Sequence, residues 1–340
     1  MSSDFNKTAL ERLSEFLKKS NQSLEIEQLT PDASARDFFR VKWNSTTAIA
    51  CIYPFLFDER LPQIDVTGLF LAADLPVAKI LKVEYESGIV LHEDFGDTIL
   101  RDVLENTNSN KKTLLIDNAI KLIVKIQKST PKAFELNSIA GKLKFDEEKL
   151  LWELEFFKTH YFESLLNFEL PAQTSTILAK EFIDLSQELE KFASVLTHRD
   201  YHTANLMLDK NENLKIIDHQ DARIGSAAYD LVSLLLDRII SPPNYEWLTE
   251  KKNIFLQERD NLGLESLSFD SFNYEFELVT VQRCLKAIGT FSNQAANFGK
   301  SHFLQYIKPM FKVVIQSCQR LEKFPILQEV LSNELNTGNY

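Results

Sequence analysis

The chain has 340 residues, 44% of them apolar and 26% charged, which suits a globular protein with room for two cores. A formal net charge of −11, with no lysine–arginine stripe, argues against a nucleic-acid-binding surface. Cys51, Cys284 and Cys318 are far apart with no CxxC spacing, and so read as buried reduced thiols. The N-terminus has no apolar h-region and no apolar run approaches membrane-spanning length, so the expected location is the cytoplasm.

Taken in chain order, residues 4–19 carry Leu10, Leu13, Phe16 and Leu17 at helical spacing, as a packing helix would. Three strand-like segments follow, at Leu24–Leu29, Phe38–Trp43 and Thr47–Tyr53, with short polar connections that predict an antiparallel sheet. Asp58–Asp74 has helical spacing. Val77–Tyr85 and Ile89–Glu93, joined by Glu86-Ser87-Gly88, add two more strands. Asp94-Phe95-Gly96-Asp97 breaks the pattern and reads as a linker, dividing the chain into a small sheet lobe, 1–94, and a larger helical lobe, 95–340. Helices are expected at Thr98–Asn106, Lys111–Lys128, Asp146–Leu166, Thr174–Ala193, Tyr229–Ile240, Asn244–Asn261, Asn273–Asn297 and Ser301–Leu321. Pro131, Pro171, Pro242 and Pro243 fall between them. The expected fold class is therefore α+β and bilobal, with no internal repeat.

The most informative stretch is Leu196–Ile240. Leu206-Met207-Leu208 and Leu214-Lys215-Ile216-Ile217 are two short apolar runs around the turn Asp209–Asn213, which makes a hairpin. A hairpin that short brings its outer ends together. Asp200 and Asn205 lie on one side, Asp218 on the other. Two carboxylates and an amide oxygen suit a hard cation such as Mg²⁺. The order His198-Arg199-Asp200, then Asn205, then a hairpin ending in Asp218 is the catalytic-loop and metal-loop pattern of protein-kinase-like phosphotransferases. Asp200 is the expected catalytic base, and Asn205 and Asp218 the expected metal ligands. His198 and Arg199 read as braces. Asp230 reads as a helix N-cap that also braces the loop.

Competing readings start from the same residues. His198 and His202, with His219 across the hairpin, form a zinc alternative, which leaves Asp200, Asn205 and Asp218 unexplained. No P-loop, no GxGxxG and no GxSxG elbow occurs.

Several spread-out motifs carry a resemblance. They are Asp32-Ala33-Ser34-Ala35-Arg36-Asp37-Phe38-Phe39-Arg40, Leu91-His92-Glu93-Asp94-Phe95-Gly96-Asp97, His198–His202 with Asn205-Leu206-Met207, Ile217–Ala222, Tyr229–Leu235, and Gln282-Arg283-Cys284-Leu285-Lys286 with Gly289 and Phe291. The sequence resembles the aminoglycoside phosphotransferase and choline kinase superfamily. Within it, the sequence is similar to the bacterial cell-wall kinases that phosphorylate the anomeric hydroxyl of N-acetylmuramate and N-acetylglucosamine. The resemblance implies a kinase using ATP and Mg²⁺ on a small-molecule acceptor, with no nucleic-acid or membrane partner and a monomer favoured. ATP is expected between the lobes, near Glu93 and Asp94, with backbone groups of Ser34 and Ala35 on its phosphates. Asp221, Arg223, Glu153, Trp152, Phe157 and Arg283 are candidates for the acceptor pocket, Arg223 for a carboxylate such as that of a lactyl ether sugar.

Two departures stand out. The third strand lacks the lysine usual in kinase folds, with Cys51 or a neighbour in its place. Arg36 is the expected substitute cation, the alternative being a local pair with Asp32 or Asp37. The glycine-rich loop is also missing, which leaves two rival functions: a kinase for another small alcohol (an aminoglycoside, choline or homoserine) or a nucleotide-binding pseudokinase.

Overall fold

The structure is a computed structural model that describes residues 7–29 and 36–336. It consists of two compact units. The first runs up to Asn106 and takes in Thr203–Gln220; the second comprises Thr107–His202 and the chain from Asp221 onward. The α+β class expected from the sequence is the one adopted.

The first unit is built on five antiparallel strands: β1 (Ile26–Leu29), β2 (Asp37–Trp43), β3 (Thr46–Ile52), β4 (Ile80–Glu84) and β5 (Ile89–Glu93), in the order β1-β2-β3-β5-β4. Alternation along each strand gives the sheet two apolar faces. Phe39, Val41, Ala48, Ala50 and Ile52 pack against Leu13, Phe16 and Leu17 of α1 (Ala9–Lys19). Cys51, Tyr53, Val90 and Phe38 face the other way, with Leu61 and Ile64 at the start of α2 (Pro62–Ala72). The β2–β3 register pairs Phe38 with Cys51, which puts Arg36 and Arg40 on this second face. α3 (Leu100–Glu105) follows.

The chain returns to this unit through a hairpin, β7 (Leu206–Leu208) and β8 (Leu214–Ile216). The hairpin is joined to the unit by backbone bonds from Leu208 N–H to Thr98 O (2.9 Å) and from Ile216 N–H to Pro76 O (2.9 Å). These bonds explain why a boundary expected after Asp94 lies after Asn106, and why 203–220 clusters with the sheet. The Asp209 carboxylate accepts from the N–H groups of Asn211 and Asn213. Those bonds fix the turn and hold the carboxyl down at about 2.

The second unit is helical: α4 (Ser109–Lys128), α5 (Thr130–Glu135), α6 (Ile139–Lys142), α7 (Glu147–Lys158), α8 (Ala172–Glu190), α9 (Tyr229–Leu236), α10 (Tyr245–Asn261), α11 (Phe269–Phe298), α12 (Ile307–Leu321) and α13 (Pro325–Asn336). It also holds the two-stranded pair β6 (Val195–Thr197) and β9 (Arg223–Gly225). The sequence reading missed α5, α6, α13 and the β6–β9 pair. Pro131, expected between helices, lies in the first turn of α5, where its missing N–H costs nothing. The helix expected to run to Leu166 widens into a π-helical stretch at Thr159–Leu165. Ser301–Tyr306 is a 3₁₀ lead-in to α12. No helix among the described residues is long and apolar enough to cross a membrane.

α11 is the axis of this unit, buried along most of its length, including Gln282 and Arg283. It crosses α7 closely at Gly289, where an added Cβ would stand 2.7 Å from Phe157 Cα. Backbone cannot yield there as a flexible side chain could. Gly289→Ala is therefore expected to destabilise the protein by about 2 kcal/mol or more, measured as a lowered urea midpoint. An unchanged midpoint would show that the two helices separate freely.

Candidate active site

In the first unit, the hairpin brings together the two residues expected at its ends. β7 and β8 pair Leu206 with Ile216, and Ile217 N–H donates to Asn205 O at 3.1 Å. Asn205 and Asp218 therefore flank one closed ladder end. Asp218 has φ +61°, the left-handed region that suits an Asp better than most residues. Its Oδ1 accepts from Arg36 Nη2 at 3.0 Å and from Gln220 Nε2 at 2.9 Å. A carboxylate and an amide, offering oxygen only, fit a hard divalent ion such as Mg²⁺. The carboxylate here already takes a cation, the Arg36 guanidinium.

Arg36 is the long-range partner that the sequence left open between two readings. It pairs with Asp218, lies over the rings of Phe38 (5.4 Å) and Tyr53 (5.8 Å), and reaches Gln63 of α2 at 3.5 Å. Burial pushes the Cys51 thiol up to about 12, so the third strand offers a neutral group where a lysine is usual. Ser34, Ala35 and Asp32 lie outside the described residues.

His219, unexplained by sequence, is buried. Its Nε2 is 2.7 Å from Thr67 Oγ1 on α2, and its ring stacks on Phe70 at 5.1 Å. It clamps the residue after Asp218 to the helix. Asp94 does not present a free carboxylate. It is 4% exposed and takes Arg40 Nε at 2.8 Å, while Arg40 also bonds Asp97 at 2.5 Å. Asp94 thus fixes the chain leaving β5. Glu93 closes that strand, its N–H donating to Lys79 O at 2.9 Å.

In the second unit, Asp200 follows β6 and is 23% exposed. Lys286 Nζ lies 2.7 Å from its Oδ1, Arg283 Nη2 3.5 Å from the same atom, and Arg199 Nη1 3.9 Å from Oδ2. Burial alone would push this carboxyl up. Lys286, Arg199 and Arg283 outweigh it and hold Asp200 well below the usual carboxylate range. Lys286 and Arg283 stand on one side of α11. The sequence reading assigned Lys286 no role, since nothing local connects it to a residue 86 positions earlier.

The loop is pinned by Asp230, whose two oxygens accept from His198 N–H (2.7 Å) and Arg199 N–H (3.0 Å). Asp230 is a brace, as expected, but not the N-cap. Ala228 holds that position and Asp230 sits in the first helical turn. Burial, opposed by those two bonds, raises the Asp230 carboxyl to about 7. Arg199, with φ +83°, runs to Glu153 and Asp221, each at 3.3 Å.

The acceptor candidates fall into two groups. Glu153, Asp221 and Arg223 join this charged cluster. Arg223 is mostly buried, 7% exposed; it lies over Phe145 and its Nε donates to Asp221 O at 3.1 Å. Arg283 is buried against Asp237 at 2.8 Å, and Phe157 is core. Trp152 is exposed. Among the described residues no group of three or more His, Cys, Asp or Glu side chains is placed to hold a metal.

Each unit, taken by itself, holds polar groups of the kind that phosphoryl transfer uses. The chain belongs to the phosphotransferase enzyme family, whose pattern it matches over residues 25–262. It is an enzyme, a kinase of the protein-kinase-like fold. It is 28% identical to an N-acetylmuramate/N-acetylglucosamine kinase of Pseudomonas aeruginosa over 91% of this chain and 88% of that protein. A protein of the same name from Neisseria meningitidis is also 28% identical, over 90% of this chain and 91% of its own length. A solved choline kinase from Streptococcus pneumoniae shares the fold, with a TM-score of 0.57 at 15% identity over 90% of this chain and 98% of that one.

Lys286 is the nearest cation to Asp200, the expected base, at 2.7 Å. With Lys286→Met, kcat should fall about 10- to 100-fold. The acid limb of the kcat/KM profile should move to higher pH, because a depressed carboxyl pKa rises when its cation leaves and the ionised form is lost sooner on acidification. Lys286→Arg should restore part of both. An unmoved acid limb would show that Lys286 does not set the Asp200 charge.

Proposed function

We propose that this enzyme transfers the γ-phosphoryl group of ATP to a hydroxyl of an amino sugar, N-acetylmuramate or N-acetylglucosamine, and that the hydroxyl is the anomeric one. The observation that carries the chemistry is Asp200, recessed, ionised by three cations and fixed by Asp230. A carboxylate so held accepts a hydrogen bond from an attacking hydroxyl and aims it. The choice of acceptor is supported by the names of two relatives that match nine-tenths of this chain.

In this reading Asn205 and Asp218 would hold Mg²⁺, which would neutralise charge on the phosphates. The Arg36 guanidinium, held over two rings, would turn from Asp218 to the phosphates, the role a third-strand lysine has elsewhere. Asp94 and Arg40 hold the strand end that borders the adenine. The pseudokinase alternative loses its main support, because the missing lysine has a cationic substitute on the same sheet face. The enzyme acts in the cytoplasm, where ATP is available.

The test is ATP turnover over N-acetylmuramate, N-acetylglucosamine, choline and an aminoglycoside. Both amino sugars should be phosphorylated, and Asp200→Asn should lower kcat by about a thousand-fold. Turnover of choline or the aminoglycoside without the sugars, or ATP binding with no turnover at all, would refute the assignment. Arg36→Ala should raise the KM for ATP about 10-fold or more with less effect on the KM for the sugar. If the two KM values rise equally, Arg36 is not the phosphate contact.

A further inference from the structure

The charged cluster around Asp200 extends well beyond what a general base needs. Counted together, Lys149, Arg199, Arg223 and Lys286 face Glu153, Asp200 and Asp221: four cations to three carboxylates. Arg283 adds nothing to the imbalance, since the buried Asp237 answers it at 2.8 Å. Such an excess inside a partly desolvated site is unfavourable unless another anion joins it.

The surplus can be located. Arg199 takes the nearer position on both shared carboxylates, 3.3 Å from Glu153 and 3.3 Å from Asp221. Glu153 is fully buried, and its second oxygen already accepts from Gln282 at 2.9 Å. Lys149 is left at 3.6 Å from Glu153, and Arg223 Nη2 at 3.8 Å from Asp221. Both distances are outside hydrogen-bonding range. Lys149 is nonetheless held in place. It sits on α7, 3.9 Å above the exposed Trp152 ring, with 26% of its side chain open to solvent. Burial, and then the crowd of cations, lower the Lys149 ammonium and the Arg223 guanidinium from their ordinary values, with Glu153 and Asp221 opposing only in part.

We propose that Lys149 and Arg223 form a carboxylate-recognition site that takes the acid group of an acidic amino sugar and favours it over a neutral one. This rests on the amino-sugar reading above and deepens it. N-acetylmuramate carries a lactyl carboxylate and N-acetylglucosamine carries none, so the site reads the one group that separates the two sugars. An anionic sugar brings the missing negative charge to the cluster. A neutral sugar leaves it uncompensated.

A phosphoryl oxygen would also answer a cation, so the experiment must separate a carboxylate from a phosphate. Three acceptors serve: N-acetylmuramate, its methyl ester and N-acetylglucosamine. Wild-type enzyme should show a kcat/KM for the free acid about 10-fold or more above that for the ester. In Lys149→Gln that ratio should fall about 10-fold, and in Lys149→Glu it should fall further or invert. Lys149 is partly exposed, so these variants should fold, which a melting curve checks. The proposal is overturned if wild type treats acid and ester alike. It is also overturned if the ratio survives in Lys149→Gln, or if all three acceptors and the KM for ATP decline together, which would assign the cations to the phosphoryl group. Failure of wild type to phosphorylate any amino sugar would instead remove the reading beneath it. Wild-type turnover without discrimination would remove this inference alone.

Discussion

A recessed carboxylate that must stay ionised is the constraint around which the helical unit is arranged. Desolvation favours the protonated form, so Asp200 stays ionised only while cations stand against it. Lys286 and Arg283 come from α11 and Arg199 from the loop itself. Each of these cations then needs a partner of its own. Arg283 finds Asp237, and Arg199 finds Glu153 and Asp221. Gln282 occupies the second oxygen of Glu153. Glu153 comes from α7, and Gln282, Arg283 and Lys286 come from α11, so the approach of those helices sets much of the electrostatics. The missing side chain of Gly289 lets the backbones approach closely. A packing detail three residues beyond Lys286 thereby bears on the charge of the base.

What could be read from sequence follows from the range of the interactions. The five strands and the hairpin were legible because alternation and turn residues are local signals. The spacing of Asp200, Asn205 and Asp218 could be read for the same reason: they lie on one short run of chain, and the pairing of Leu206 with Ile216 brings the last two together. α5 and α6, six and four residues long, are too short for a helical period to show. β6 and β9 have three residues each, so alternation has nothing to repeat. Lys286 was visible only as part of a motif, because its role depends on the fold bringing α11 to the loop. His219 could not be explained without Thr67 and Phe70, which come from α2.

The placement of an arginine just before β2, beside a third strand that has no lysine, has a physical logic. The pairing of Phe38 with Cys51 puts Arg36 on the same face of the sheet, one step along from the position across from Cys51. An arginine there has the reach to serve the same space, and its planar group can lie over Phe38 and Tyr53 in a way an ammonium does not. α2 offers Gln63, not a carboxylate. The cation's anionic partner is therefore the expected metal ligand Asp218 itself. Phosphates and a divalent ion would compete for the two halves of that pair.

Both functional loops also hold a residue other than glycine in left-handed backbone, Arg199 at φ +83° and Asp218 at φ +61°. Such conformations cost energy and persist only where the surroundings over-determine them. For Arg199 the constraint is visible as a backbone bond to Asp230 and an ion pair to each of Glu153 and Asp221. For Asp218 it comes from the hairpin ladder before it and the His219 clamp after it. Asp230 shows how far this goes. A carboxyl raised to about 7 by burial is a poor choice for stability alone, yet it accepts from two successive N–H groups that a strained loop leaves without helical or strand partners. Removing it would leave those donors buried and the loop free to relax. The buried acid is best understood as the cost of pinning the backbone that leads into Asp200.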